Sequence, residues 1–349
     1  MAVYRFNPLA DARWPELLQR HSRASIFHTP GWLEALRRTY GYEPVVYTTC
    51  APGQDLSNGI LFCQIKSRLT GRRLVSVPFS DYCQPLCDRD QDLEEILQEL
   101  ERSLAKENWK YLELRPVAVA AGIMASAWSF RKSHEFLLHR LDLTQELDQI
   151  FSRFHDSNVK RKIRRAEREK VTYQEGTSAA HLSAFYQLFL LTRRKHQIPP
   201  QPMHWFSNLI ACLGDAIKIR LAVHQETPIA AIVTVSYRKT YYYKYGASNQ
   251  AFGNLGGNPL LFWHTIQEAK QQGACLLDFG RSDLDNPGLI EFKDRWGASR
   301  SQLAYYRYPL PGDSATAEGW KMKMAKRVFN RLPDRMLVYA GNVLYRHMG

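Results

Sequence analysis

Apolar positions in the second half of the chain fall into two periods. Between 181 and 195, from Leu182 through Phe185, Leu188 and Phe189, they recur at helical spacing. From Ile217 the period becomes two: Ile217, Ile219, Leu221 and Val223 alternate with polar or small residues, the pattern of a half-buried strand. Gln225-Glu226-Thr227-Pro228 turns the chain into the β-branched run Ile229–Tyr237, and Arg238-Lys239-Thr240 turns it again into Tyr241–Tyr245. Two short polar turns between three strands predict an antiparallel meander. A glycine-rich stretch, Gly253-Asn254-Leu255-Gly256-Gly257-Asn258-Pro259, follows. Asn258 suits an N-cap and Pro259 a first helical residue, so a helix is predicted from there to about Gln272, with Gly273 as its stop. Cys275–Phe279 then reads as a short buried strand, 280–299 as a polar irregular segment, and 302–308 as a final strand.

The first half repeats this order. A helix is predicted over 31–39, strands over 43–49, 59–66 and 73–78, a helix over 91–107, a strand over 110–114 and a last strand over 134–143. The order of elements recurs with an offset of about 165 residues, without residue-level identity. This predicts an α/β chain with mixed sheets, each flanked by helices: a domain over 1–145, a second over 146–310, and a basic amphipathic helical tail over 311–349.

With 45% hydrophobic and 23% charged residues the chain is a folded one rather than a disordered one. No run nears the roughly 18 apolar residues that span a bilayer, and Met1–Pro8 lacks the design of a signal peptide. A cytoplasmic location is therefore expected. Six scattered cysteines suit reduced, structural thiols. The net charge of +13 excludes little but favours polyanionic partners: RNA, anionic lipid headgroups or phosphorylated substrates.

Five segments carry candidate chemistry. Gly253, Asn254, Gly256, Gly257 and Asn258 precede a helix whose N-terminal N–H groups could hold a phosphate; the same glycines could serve only as a turn. Asp278-Phe279-Gly280-Arg281-Ser282-Asp283, leading to Phe292-Lys293-Asp294-Arg295-Trp296, concentrates charge after a buried strand. Lys293 and Arg281 suit binding of an anion or of charge developing on a carbonyl oxygen, and Asp278 or Asp283 suits proton removal from an ammonium. In 153–170 a stripe of Val159, Ile163 and Ala166 faces eight basic residues, Arg161 and Arg165 among them, against three acids. That helix either touches tRNA, lipid or nucleotide, or is a solvated basic face. Trp320, Met324 and Val328 among lysines and arginines make 318–346 either a lid on the second domain or a peripheral contact with anionic membrane. Asp81, in the Pro-bounded run Ser76–Leu86, either faces a cleft or caps a turn. The eleven histidines show no metal-ligand spacing, so no metal is expected.

The stretches Arg161–Val171, Tyr242-Tyr243-Lys244-Tyr245-Gly246-Ala247, Asn258–Trp263, Leu277-Asp278-Phe279-Gly280 and Phe292–Ala298 resemble FemAB-like proteins. That family groups peptidoglycan-bridge aminoacyltransferases with BioF2-like acetyltransferases. The resemblance covers 153–300 well and the first half loosely, through Phe27–Trp32 and Pro78–Asp81. It implies two tandem GNAT-like domains and an N-acyltransferase acting on an amino group of a cell-envelope, glycan or peptidoglycan precursor. It implies Lys293 at the substrate, with Phe292, Trp296, Tyr245, Arg281, Arg161 and Arg165 as substrate-binding candidates. Trp296-Gly297 stands where the bridge-forming enzymes have Phe-Gly. No tightly bound cofactor is implied; the co-substrate is acyl-CoA, or aminoacyl-tRNA as a close second. The competing expectation is a degenerate, non-catalytic transferase that docks on RNA or membrane.

Overall fold

The computed structural model describes residues 2–117, 129–309, 329 and 332–349. Its elements start where the sequence supplies caps. After β1 (Tyr4–Phe6) and α1 (Arg13–Arg20), helix α2 (Pro30–Tyr40) has Thr29 accepting from the Trp32 N–H, proline in its first turn, and Gly41 at φ 70° closing it. Strands β2 (Glu43–Thr48), β3 (Ile60–Ser67) and β4 (Gly71–Val75) form an antiparallel meander. Helix α3 (Asp90–Lys106) then carries the chain to β5 (Tyr111–Leu114), which runs parallel to β4.

The second series opens with β6 (Arg131–Asp142), α4 (Leu147–Ser152), α5 (Arg161–Arg168) and β7 (Thr172–Gly176). Helices α6 (Ala179–Lys195) and α7 (Met203–Leu213) precede the meander β8 (Ile217–His224), β9 (Thr227–Tyr237) and β10 (Thr240–Ser248). Helix α8 (Gly257–Gln271) leads to β11 (Leu276–Asp283), which is parallel to β10; α9 (Pro287–Asp294), β12 (Ser299–Tyr308) and α10 (Asp334–Leu344) follow. Each series forms a mixed sheet with helices against it.

The described residues cluster into two compact units, and their division differs from a cut near 145. Residues 136–142 of β6 pair with β11 in the second unit, while residues 306–308 of β12 pair with β5 in the first. The halves have thus exchanged the closing strands that the sequence assigned to their own sides. Period-two patterning identifies a strand and its buried face but not the edge it joins. The first unit has sheet order β1-β2-β3-β4-β5-β12, the second β6-β11-β10-β9-β8-β7. In the first, Leu74, Leu112 and Leu114 pack with Ile96, Leu97 and Leu100 of α3. In the second, Leu260, Leu261, Phe262 and Ile266 of α8 meet Leu277, Phe279 and Trp296. Each such side chain, fully buried, contributes about 1.5–3 kcal/mol.

Three local expectations change. The segment 280–299 contains α9, capped by the Asn286 side chain on the Leu289 N–H with Pro287 behind it; with only Lys293 buried, it shows no apolar stripe to read. Helix α8 starts at Gly257 with Gly256 as its N-cap, so Asn258 lies inside the first turn rather than capping it. Trp320, Met324 and Val328 lie outside the described residues. Among the described residues no helix is long and apolar enough to cross a membrane.

Candidate active site

The site of the second unit begins where two parallel strands separate. β10 and β11 pair at only three register positions, Thr240↔Leu276, Tyr241↔Leu277 and Tyr242↔Asp278. Past that point both strands bulge: β10 between Tyr243 and Tyr245 against β9, and β11 between Asp278 and Gly280 against β6. Each bulge sharpens the local twist. The strands then continue with partners on their outer sides only, to Ser248 and to Asp283. The facing backbone groups of 243–248 and 279–283 no longer serve each other, and such groups need other partners.

Lys293 supplies two of those partnerships. Its side chain reaches from α9, is 1% exposed, and donates from Nζ to the carbonyls of Gly280 (2.9 Å) and Arg281 (2.8 Å). Charge-assisted bonds of this kind hold β11 open at a fixed width. His139 on β6 is fully buried nearby, with Nε2 3.5 Å from Asp294 Oδ1. Burial, with the Lys293 charge adding to it, pushes its pKa down to about 4, so the imidazole is neutral at pH 7.

Where β10 gives way to α8 lies a pocket of about 170 Å³. That is roughly the space of six waters at ~30 Å³ each, enough for a diphosphate-sized group. Asn158 and Lys162 line it from the α5 side, Gly253, Gly257 and Asn258 from the glycine loop and α8, and Phe292, Arg295 and Trp296 from α9 and the turn after it. The lining holds two cations and no carboxylate. The first turn of the 15-residue α8 adds N–H groups without intrahelical acceptors. Three buried polar atoms here, Asn258 Oδ1, Arg295 Nε and Trp296 Nε1, have no hydrogen-bond partner among the described residues. Buried polar atoms are nearly always paired, so three around one pocket mark a place for a polar ligand or for water.

Gly256 explains why the loop must be glycine. It sits at φ 79°, and a Cβ there would lie 2.2 Å from the Lys162 carbonyl oxygen. Only a residue without a side chain lets α5 press against the start of α8. Gly257 is nearly as tight, with a Cβ 3.1 Å from Ala230 Cβ and 3.2 Å from Ala222 Cβ.

The structure places the remaining candidates as follows. Asp278, 1% exposed, accepts from the Gly280 N–H (2.7 Å) and pairs with Arg140 (3.1 Å), so its carboxylate shapes the β11 bulge. Asp283 is exposed at the end of β11. Asp81 belongs to the first unit, where its carbonyl accepts from the Tyr305 hydroxyl (2.6 Å). Arg281 lays its guanidinium 4.2 Å over the Phe136 ring. Phe292 packs edge-on to Phe262, and Trp296 is fully buried against Phe154 and Phe262. Tyr245 accepts from Trp205 Nε1 at 2.7 Å among Phe189 and Phe206. Arg161 is exposed, and Arg165 approaches Glu169 at 3.7 Å. Gly253, Gly257 and Asn258 line the pocket; Gly256 shapes it and Asn254 lies in the preceding turn. Lys162, Arg295 and Asn158 were not singled out from sequence. The i, i+4 spacing of Asn158 and Lys162, which puts both on one helical face, was the available signal.

Residues 153–294 match the family described as an acetyltransferase (GNAT) domain. No protein of curated function matches the sequence. Among solved structures, FemX is similar with a TM-score of 0.71 at 14% identity, over 93% of this chain and 100% of FemX. The C-terminal domain of a putative lysylphosphatidylglycerol synthetase from Agrobacterium fabrum gives 0.57 at 12% identity, over 89% and 95%. A tandem GNAT protein from the clavulanic acid biosynthesis pathway gives 0.54 at 10% identity, over 89% and 99%. At such identities the likeness is one of fold.

Proposed function

We propose that this chain, which matches the GNAT acetyltransferase domain family over 153–294 and is similar in fold to FemX, is an N-acyltransferase whose donor binds at the start of α8. The observation that carries this reading is the pocket at the α8 N-terminus: two cations, no carboxylate in its lining, helix N–H groups without intrahelical acceptors, and the end of β10 at its wall. Phosphates of an activated donor sit against Lys162, Arg295 and the first turn of α8. The donor's extended amide-bearing arm lies along the strand edges, which offer main-chain hydrogen bonds. An amine nitrogen attacks the acyl carbonyl; the N–C bond forms, the C–S bond of the thioester breaks, and the thiolate leaves. Asp283 is the exposed carboxylate of β11 available for the ammonium proton. Lys293 acts as a positioning residue that fixes the β11 edge. Orientation of the two reactants supplies the larger share of the rate.

The acceptor in this reading is an amino group on a cell-envelope precursor. The likeness to peptidoglycan-bridge aminoacyltransferases, and the lysylphosphatidylglycerol synthetase fold of one neighbour, support that class. Aminoacyl-tRNA remains the second donor because α5, with Arg161, Arg164 and Arg168 exposed, abuts the glycine loop.

Calorimetric titration with acetyl-CoA tests the donor. Saturable binding is expected, weakened at least tenfold by Lys162→Glu, together with transfer that survives ribonuclease. Transfer abolished by ribonuclease moves the donor to tRNA. Absence of acetyl-CoA binding, with Lys162→Glu transferring at the wild-type rate, removes the pocket from the reaction.

A further inference from the structure

A second, larger pocket of about 560 Å³ opens at the opposite end of the second unit's sheet, where β8 and β10 begin and α8 ends. Its floor is Arg220 of β8, whose side chain is 0% exposed. Nε of Arg220 donates to the Thr234 hydroxyl (3.0 Å), and Nη1 serves Glu175 (2.8 Å), Glu268 and the Tyr173 hydroxyl. Nη2, with two further N–H groups, has no partner among the described residues. A buried guanidinium nitrogen left unpaired costs about 1–3 kcal/mol or more, so an acceptor that reaches it past the pocket floor is stabilised.

Charge decides what kind of acceptor fits. Arg220 and Lys218 are matched by Glu175 and Glu268, with Lys218 Nζ 2.6 Å from one and 2.8 Å from the other. Asp215 on the pocket wall adds a further carboxylate, so the surroundings repel an anion. The remaining wall sets the hydroxyl and amide groups of Thr177, Thr234, Ser236, Tyr241 and Gln272 beside the apolar Ile210, Ala216 and Ile217. The volume lies in the range of small-molecule sites, about 300–1,000 Å³.

We propose that this pocket binds a neutral, hydroxyl-bearing small molecule of sugar size, one of whose oxygens accepts from Arg220 Nη2. It is separate from the donor pocket, which lies at the other end of α8, and it stands whether or not that donor reading holds. The hydroxyls of Thr234, Ser236 and Tyr241 line the path to Arg220 as further partners.

The test uses the full chain and saturation-transfer NMR with N-acetylglucosamine, glucose and acetate as separate probes at millimolar concentration. Transfer to at least one sugar and none to acetate is expected. Ser236→Trp, which fills the pocket from its half-buried wall, should cut the sugar signal at least fivefold while the melting temperature and the circular-dichroism spectrum stay as in the wild type. Arg220→Met gives a second reading, with sugar binding lost in protein whose circular-dichroism spectrum is that of the wild type. Acetate binding in place of sugar, sugar signal undiminished in the folded Ser236→Trp protein, or no transfer to either sugar overturns the proposal.

Discussion

Replacing Lys293 with methionine separates two ways in which this residue could serve transfer. The ammonium is 1% exposed and spends two of its three donors on the carbonyls of Gly280 and Arg281, at 2.9 and 2.8 Å. Methionine fills similar volume but leaves both carbonyls without that donor, at about 1–3 kcal/mol each. Removing a buried cation returns part of that cost, since a desolvated charge is itself expensive. The net loss is about 2 kcal/mol, a fall in Tm of roughly 3 °C for a chain of this length unfolding as one unit. The β11 edge then relaxes, and a displacement near 1 Å at a reacting centre costs on the order of 100-fold in rate. A third readout follows from electrostatics. Burial and then the Lys293 charge hold the His139 pKa near about 4, so losing Lys293 must raise it. Thermal unfolding, transfer rate and the NMR titration of His139 should therefore move together. Activity lost with Tm and the His139 titration unchanged would mean that the ammonium acts on the substrate and not on the strand.

Gly256→Ala should be more damaging than its size suggests. A methyl group at φ 79° and 2.2 Å from the Lys162 carbonyl oxygen forces α5 away from α8, so acetyl-CoA affinity should drop at least tenfold by calorimetry. Acid should weaken the protein well above the carboxylate range. Burial is the leading cause that holds His28 and His139 down to about 4, below the unfolded value of 6.5. A depressed histidine pKa gives stability that is complete above pH 6.5 and is lost as pH falls toward 4, about 1.4 kcal/mol per unit for each group. Urea unfolding at pH 5 against pH 7 should show a loss of about 4 kcal/mol. Below pH 4.5 a further loss follows from Glu113: burial alone would raise its pKa, but Arg115 and Arg307 bring it to about 2.

Much of the fold could be read from the periodicity of the chain. The meander of β8, β9 and β10 and the glycine loop before α8 lie close to their predicted places, because alternation and polar turns are local properties. What periodicity omits is partnership. Strand β6 and the end of β12 show the expected pattern yet pair across the expected boundary, since an edge accepts any strand of suitable face. The charged segment 280–299 was legible as chemistry but not as structure. Asp278 and Lys293 carry the charges that suggested acid–base work, yet both turn inward, one to shape a bulge and one to brace a strand. Lys162 and Arg295 were hidden for the opposite reason. Each stood among many basic residues, and only the fold distinguishes those that face a pocket.

The exchange of closing strands also governs how the chain must mature. The first unit cannot finish its sheet until residues 306–308 arrive to pair with β5, nearly two hundred positions after Leu114 has left the ribosome. Through that interval β5 presents a bare hydrogen-bonding edge to the crowded cell, the kind of edge that recruits foreign strands. Expression of the first 145 residues alone would leave β5 without β12, and would release an incomplete sheet rather than a domain.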